Sequence, residues 1–164
     1  MRVFLVLLIC ILCLTGCGAV QTFERIEDSA AVPVVAKASQ LELTYADLEE
    51  ALVFDNGNSK LYMCDGYSVI QQTLEGGDLG RTVREVTGLD KEKLTLMKTD
   101  NNGIITYQCA WSAVGEGADR ICRAAILDDG AFHYAVTVMT NSGNMAAITK
   151  AWSPLLETLY LSTG

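Results

Sequence analysis

The sequence predicts an α+β fold: an antiparallel β-meander sheet packed by a mid-chain helix and a C-terminal helix. Three observations predict it. Ile105, Tyr107, Cys109, Trp111 and Ala113 alternate with Thr106, Gln108 and Ser112, the period of a strand with one buried face. Leu79, Val83 and Val86 recur at helical spacing between Asp78, a capping residue, and Gly88, a helix terminator. Met145, Ile148, Trp152, Leu155 and Leu159 form a second apolar stripe that must lie on a sheet.

In chain order, the first element is not part of that fold. Arg2 is followed by residues 3–14, which carry no charged side chain, and then by Thr15, Gly16 and Cys17. A basic start, an apolar run and small residues are the three parts of a secretory leader. The alternative is an uncleaved membrane span, because residues 3–20 just reach the roughly 18 apolar positions that a span needs. Leu14-Thr15-Gly16-Cys17 resembles the lipobox of bacterial lipoproteins. That resemblance implies a signal peptide at 1–16 and a mature chain beginning at Cys17, whose thiol takes a diacylglyceryl group and whose new N-terminus is acylated by a palmitate-type chain. Stable membrane attachment takes more than one acyl chain, and such a terminus meets that condition. The implied location is the cell membrane or outer membrane, facing the extracytoplasmic side, with membrane lipid as a partner through acylated Cys17.

Residues 17–38 then read as the lipidated N-terminus and a tether, with Pro33 and a charged patch at 24–28; residues 32–35 are alternatively an edge strand. Residues 39–164 are expected to form one α+β domain. Cutting before Cys17 leaves 148 of the 164 residues, with 20 acidic against 11 basic side chains. So acidic a chain is a poor partner for nucleic acid. Three cysteines follow Cys17: Cys64, Cys109 and Cys122.

Within the domain, Thr44 as a cap with Tyr45, Leu48 and Leu52 at helical spacing predicts a short helix over 45–53, stopped by Asn56-Gly57. Residues 59–64 and 67–74 flank Asp65-Gly66, a pair suited to a two-residue hairpin turn. Residues 94–98 are expected to join the meander as a strand, across a loop at 99–103. The strands at 105–113 and 120–127 are expected to turn at Gly115-Glu116. A two-residue loop there sets Cys109 opposite Cys122, Ile105 opposite Ile126, Tyr107 opposite Ala124 and Trp111 opposite Arg120. Counted outward from that loop, 109 and 122 form a non-hydrogen-bonded pair with Cα atoms about 4.5 Å apart, which predicts a Cys109–Cys122 disulfide; two reduced buried thiols are the alternative. A three-residue turn at 128–130 is expected to place Phe132, Tyr134, Val136 and Val138 on the face of Ile126 and Ala124, with His133 opposite, beside Ala125. The apolar phase of the last helix passes unchanged through Pro154, predicting a kink or a restart capped by Ser153.

From about 59 to 161 this order of elements, with a strand around Tyr134 followed by a helix containing Trp152, resembles the Mog1/PsbP-like α/β sandwich, which also occurs in bacterial lipoproteins. The resemblance implies a binding or assembly accessory and carries no functional residue with it.

Motifs for chemistry are missing from the sequence. The single His133 has no nucleophile motif beside it, and no Gly-x-Ser-x-Gly, phosphate loop or Cys-x-x-Cys is present. Asp100-Asn101-Asn102-Gly103 has Lys98 and Cys109 where a calcium loop wants acids, so a plain turn is expected. Adjacent acids such as Glu49-Glu50 and Asp128-Asp129 diverge rather than converge. The expectation is therefore a non-enzymatic, membrane-anchored domain without cofactor or metal that binds an envelope protein or a small ligand. The alternatives are a small surface-tethered hydrolase and a structural spacer without ligand.

Overall fold

The computed structural model describes residues 39–101, 104–114 and 119–162. Strands β1 (Gln40–Leu43) and β2 (Leu52–Asp55) are separated by a 3-10 turn at Ala46–Leu48. Then come β3 (Ser59–Cys64), β4 (Tyr67–Glu75), helix α1 (Leu79–Thr87), β5 (Met97–Asn101), β6 (Ile104–Ala113), β7 (Arg120–Asp128), β8 (Phe132–Asn141), helix α2 (Met145–Glu157) and β9 (Leu159–Ser162). Seven strands form one antiparallel sheet in the order β2-β3-β4-β8-β7-β6-β5, while β1 pairs with β9. This is the α+β architecture that the sequence predicts.

The central strands of the sheet carry a helix on each face. On one, Val69, Ala125, Leu127, Tyr134, Val136 and Val138 pack with Ile148, Ala151, Trp152 and Leu155 of α2 and with Leu41 of β1. On the other, Ile126 and Ala135 lie in a cluster with Val83 of α1, joined by Leu74, Leu79, Val86 and Tyr107. Each fully buried Leu, Ile or Val contributes about 1.5–3 kcal/mol relative to exposure, so these two layers hold the sheet.

Local signals explain several elements directly. The Asp78 side chain accepts from the Arg81 amide at 3.1 Å, and Gly88 takes φ +74° to end α1, as the capping pattern predicts. The Asp65-Gly66 turn joins β3 to β4, with Cys64 opposite Tyr67.

Other expectations need correction. The expected helix over 45–53 is a 3-10 turn followed by strand β2, which pairs with β3 through a bulge between Leu52 and Phe54. Val53 and Phe54 favour extended backbone, and pairing with β3 overrides the weak helical spacing. Strand β5 runs over 97–101 rather than 94–98, leaving Asn102-Gly103 as the connection to β6.

The β6–β7 register differs by two residues from the expected one: Cys109 stands opposite Ala124, Trp111 opposite Cys122 and Ala113 opposite Arg120. The connection therefore spans 114–119, and the expected Gly115-Glu116 turn lies outside the described residues. A slip of two preserves every side chain's face, so the hydrophobic pattern could not distinguish the two registers.

On β8 the faces are reversed. Tyr134 stands opposite Leu127 and Val136 opposite Ala125, while His133 shares the face of Ile126 and stands opposite Asp128. The turn is two residues, Gly130-Ala131, with the Asp129 amide donating to the Phe132 carbonyl at 3.3 Å and Gly130 at φ +89°. Because β8 is buried on both faces, its apolar residues carry no inside-outside signal.

At the C-terminus, α2 passes through Pro154 as one helix rather than restarting at Ser153. Leu159 belongs to β9, not to that helix.

Asp129 holds the β7–β8 turn together. Its carboxylate accepts from the Ala131 amide at 2.9 Å, the Phe132 amide at 2.7 Å and the Tyr134 hydroxyl at 2.9 Å. Burial pushes its pKa up, but the Phe132 and Ala131 amides with the Tyr134 and Ser39 hydroxyls outweigh that and leave it below the usual carboxylate value. A depressed folded-state pKa contributes stability that is complete above the unfolded value of about 3.9 and is lost as pH falls through the folded one. Denaturant titrations at stepped acid pH should show that loss in the native chain, and Asp129→Asn should flatten it.

Candidate functional site

The site lies where the β3–β4 hairpin tip meets the junction of β8 and α2. Gly66, at φ +79°, turns its carbonyl toward that junction, where it accepts from Thr140 Oγ1 at 2.7 Å and Asn144 Nδ2 at 3.2 Å. A side chain at 66 would meet Asn144 Nδ2, so glycine permits both the turn and the approach. These contacts join segments more than 70 residues apart.

Two clefts share Gly66, Tyr67 and Asn144. One, of about 570 Å³, is walled by Leu61, Met63, Ile70 and Met139, with Arg120 and Asn141 also lining it. Among the described residues no Asp or Glu lines it. The other, of about 400 Å³, is more polar and brings Tyr45, Asp47, Asp65 and Lys150 together. Between them, the Tyr67 hydroxyl donates to Asp47 Oδ2 at 2.9 Å, and the Cys64 thiol lies 3.6 Å from the Asp47 carbonyl.

Burial and the neighbouring Cys64, Asp47 and Tyr45 push the Tyr67 hydroxyl far above its ordinary value, so it stays protonated. Burial likewise raises the Tyr45 hydroxyl. Burial also raises the Cys64 thiol, the Asp47 charge adding to this against the opposing Tyr67 hydroxyl. A protonated thiol is a weak nucleophile, and a protonated hydroxyl is a hydrogen-bond donor.

A second polar group is built into the core. Thr82 Oγ1 and His133 Nδ1 are 2.6 Å apart, and His133 Nε2 stands 3.6 Å from Asp128 Oδ2. The residue types are those of a hydroxyl–imidazole–carboxylate triad, but the imidazole nitrogens are used in the opposite sense. Thr82 and His133 are each 1% exposed, so no substrate carbonyl could reach the hydroxyl. The group satisfies polar atoms buried under α1.

Of the residues singled out by sequence, Cys17 lies outside the described residues. Cys109 and Cys122 are buried free thiols on one face of the sheet. In the observed register they are diagonal neighbours, a relation that puts Cα atoms about 7–8 Å apart. Disulfides usually span about 4.4–6.8 Å, so the cross-strand argument for a bridge no longer holds. Denatured protein alkylated with and without reductant is expected to have one mass; a difference on reduction would contradict that geometry. Trp111 and Arg120, expected to face one another, stand opposite Cys122 and Ala113 instead. Among the described residues there is no group of three or more His, Cys, Asp or Glu side chains placed to hold a metal ion.

Sequence reasoning missed the two clefts. Asp65-Gly66 was legible as a turn, but nothing local shows that Asn144 closes onto it.

The fold and clefts define an α+β domain with an apolar surface cavity. No family model matches the chain, and no curated protein matches it. Among solved structures, one from Bacteroides thetaiotaomicron is similar with a TM-score of 0.50 and 13% identity, over 75% of this chain. This chain spans 45% of that protein's length, and the likeness extends to fold alone. A Pseudomonas aeruginosa protein of unknown function has a TM-score of 0.47 and 15% identity, over 78% of this chain and 87% of its own.

Proposed function

We propose that this chain is an extracytoplasmic lipoprotein, anchored in membrane lipid through acylated Cys17, whose domain is a non-enzymatic binding or envelope-assembly accessory. The observation that carries the binding role is the pair of clefts meeting at Gly66, Tyr67 and Asn144. Apolar walls with a few convergent polar groups suit recognition of a partner or small ligand. The Tyr67 hydroxyl and Cys64 thiol, held protonated, suit donation of hydrogen bonds better than attack on a substrate. Helix α1 on one sheet face and α2 on the other fit a Mog1/PsbP-like sandwich, and we adopt that reading of the fold. The anchor rests on Leu14-Thr15-Gly16-Cys17. No helix among the described residues is long and apolar enough to cross a membrane.

Site-specific photocrosslinking in native membranes tests the binding role. A photoreactive residue at position 63, on the cleft wall, is expected to give a discrete adduct, and one at position 98, on the far edge strand β5, none. Equal labelling from both positions, or none from either, would count against a binding role for the cleft.

A further inference from the structure

We propose that the larger cleft binds a single-chain anionic amphiphile of the fatty-acid type, its acyl tail among Leu61, Met63, Ile70 and Met139 and its carboxylate on Arg120. This deepens the binding role assigned to the cleft and rests on it.

The volume, about 570 Å³, falls among small-molecule sites, commonly about 300–1,000 Å³. Its walls offer an acyl chain what hydrocarbon offers, removal from water without loss of hydrogen bonds. Methionine at two of the four wall positions adapts to a flexible chain, having three rotatable bonds and a polarizable sulfur.

The head group follows from charge. The chain is acidic, with a formal net charge of −8, yet among the described residues Arg120 lines the cleft and no carboxylate does. Arg81 and Arg84 are spent on Glu75, Glu85 and Asp90, whereas Arg120 makes no ion pair among the described residues. A guanidinium presents paired donors that match a carboxylate in two parallel hydrogen bonds. Thr140 Oγ1 and Asn144 Nδ2 on the lining are already used on the Gly66 carbonyl, and beside the neutral Ser68 and Asn141 side chains Arg120 is the one charged donor among the described lining residues. The neighbouring cleft sets Asp47 and Asp65 against a single Lys150, a net negative lining that disfavours the same anion, so the charge pattern selects between the two.

Methionine methyl spectroscopy reads this directly. Met63 and Met139 line the cleft, whereas Met97 and Met145 do not and serve as internal controls. The full chain, labelled at methionine methyls and held in phosphatidylcholine nanodiscs, is titrated with sodium decanoate below its micelle concentration and, separately, with decanol. Decanoate is expected to shift Met63 and Met139 saturably and to leave Met97 and Met145 in place. Decanol should bind about ten-fold more weakly, and Arg120→Gln should lower decanoate affinity about ten-fold, to the level of decanol. Unchanged Met97 and Met145 signals in that variant show that it is folded. Equal binding of decanol and decanoate, indifference to Arg120→Gln, parallel movement of all four methyls, or no shift at all would overturn the assignment. None of those results would alter an adduct captured from position 63 in the native membrane, so the broader binding role fails or stands separately.

Discussion

Replacing Tyr134 with alanine is expected to lower the unfolding free energy by about 3–5 kcal/mol, the range for removing a buried aromatic side chain. Tyr134 is fully buried on β8, in the cluster formed with α2, and its ring stands 6.4 Å from that of Phe132. Alanine would leave a cavity in a layer that cannot collapse freely, because a sheet strand fixes one side and a helix the other. It would also take a donor from Asp129, whose carboxylate organises the Gly130-Ala131 turn. Tyr134→Phe separates the two effects, since it keeps the ring and loses the hydrogen bond; a hydrogen bond to a charged acceptor contributes about 1.5–3 kcal/mol. Chemical denaturation checks both. A loss below about 1 kcal/mol for Tyr134→Ala would contradict the packing described for that face.

Gly76→Ala is the second large effect, expected at about 3 kcal/mol from forced overpacking. A Cβ built on Gly76 would lie 2.5 Å from the Ala131 carbonyl oxygen, 2.7 Å from its carbonyl carbon and 3.0 Å from the Phe132 amide nitrogen. All three are backbone atoms of the β7–β8 turn, so no rotamer change relieves the collision. The Gly76 amide also donates to that same Ala131 carbonyl at 3.1 Å, and this bond would be pushed apart. Gly77 provides the contrast: it takes φ +91° with nothing near its missing side chain. Gly77→Ala should therefore cost only the left-handed backbone penalty, about 1–2 kcal/mol. Thermal melts of the two variants should rank Gly76→Ala as the less stable; the reverse order would place the strain in backbone conformation rather than in the close approach of β4 to the turn.

How much of this was legible in the sequence depends on the range of each interaction. Helix α1 was readable because Asp78 and Gly88 act on their own neighbours, and the β3–β4 hairpin because Asp65-Gly66 is a local turn. Strand β2 was misread because Leu48 and Leu52 have helical spacing, while the pairing with β3 that decides its structure is not local. Strand β8 defeated the alternation argument since His133, Ala135 and Thr137 are as buried as Tyr134, Val136 and Val138. The β1–β9 pair joins residues near opposite ends of the domain, and no spacing rule reaches that far.

The site was less legible than the fold. Arg120, Ile70 and Met139 converge only because β7 and β4 flank β8 on its two sides, an order that appears after all the strands are paired. In the sequence Arg120 was read against Trp111, the partner implied by a register two residues away. Cys64 and Tyr67 flank the turn, yet the acid that both approach, Asp47, comes from a segment expected to be helical.

Mass spectrometry of the N-terminal peptide from membrane-extracted protein tests the central claim most directly. The account predicts a peptide that begins at Cys17 and carries a diacylglyceryl thioether, with a further acyl group on the new amine. A peptide that retains Met1 and bears no fatty acid would contradict the anchor, and with it the placement of this domain outside the cell.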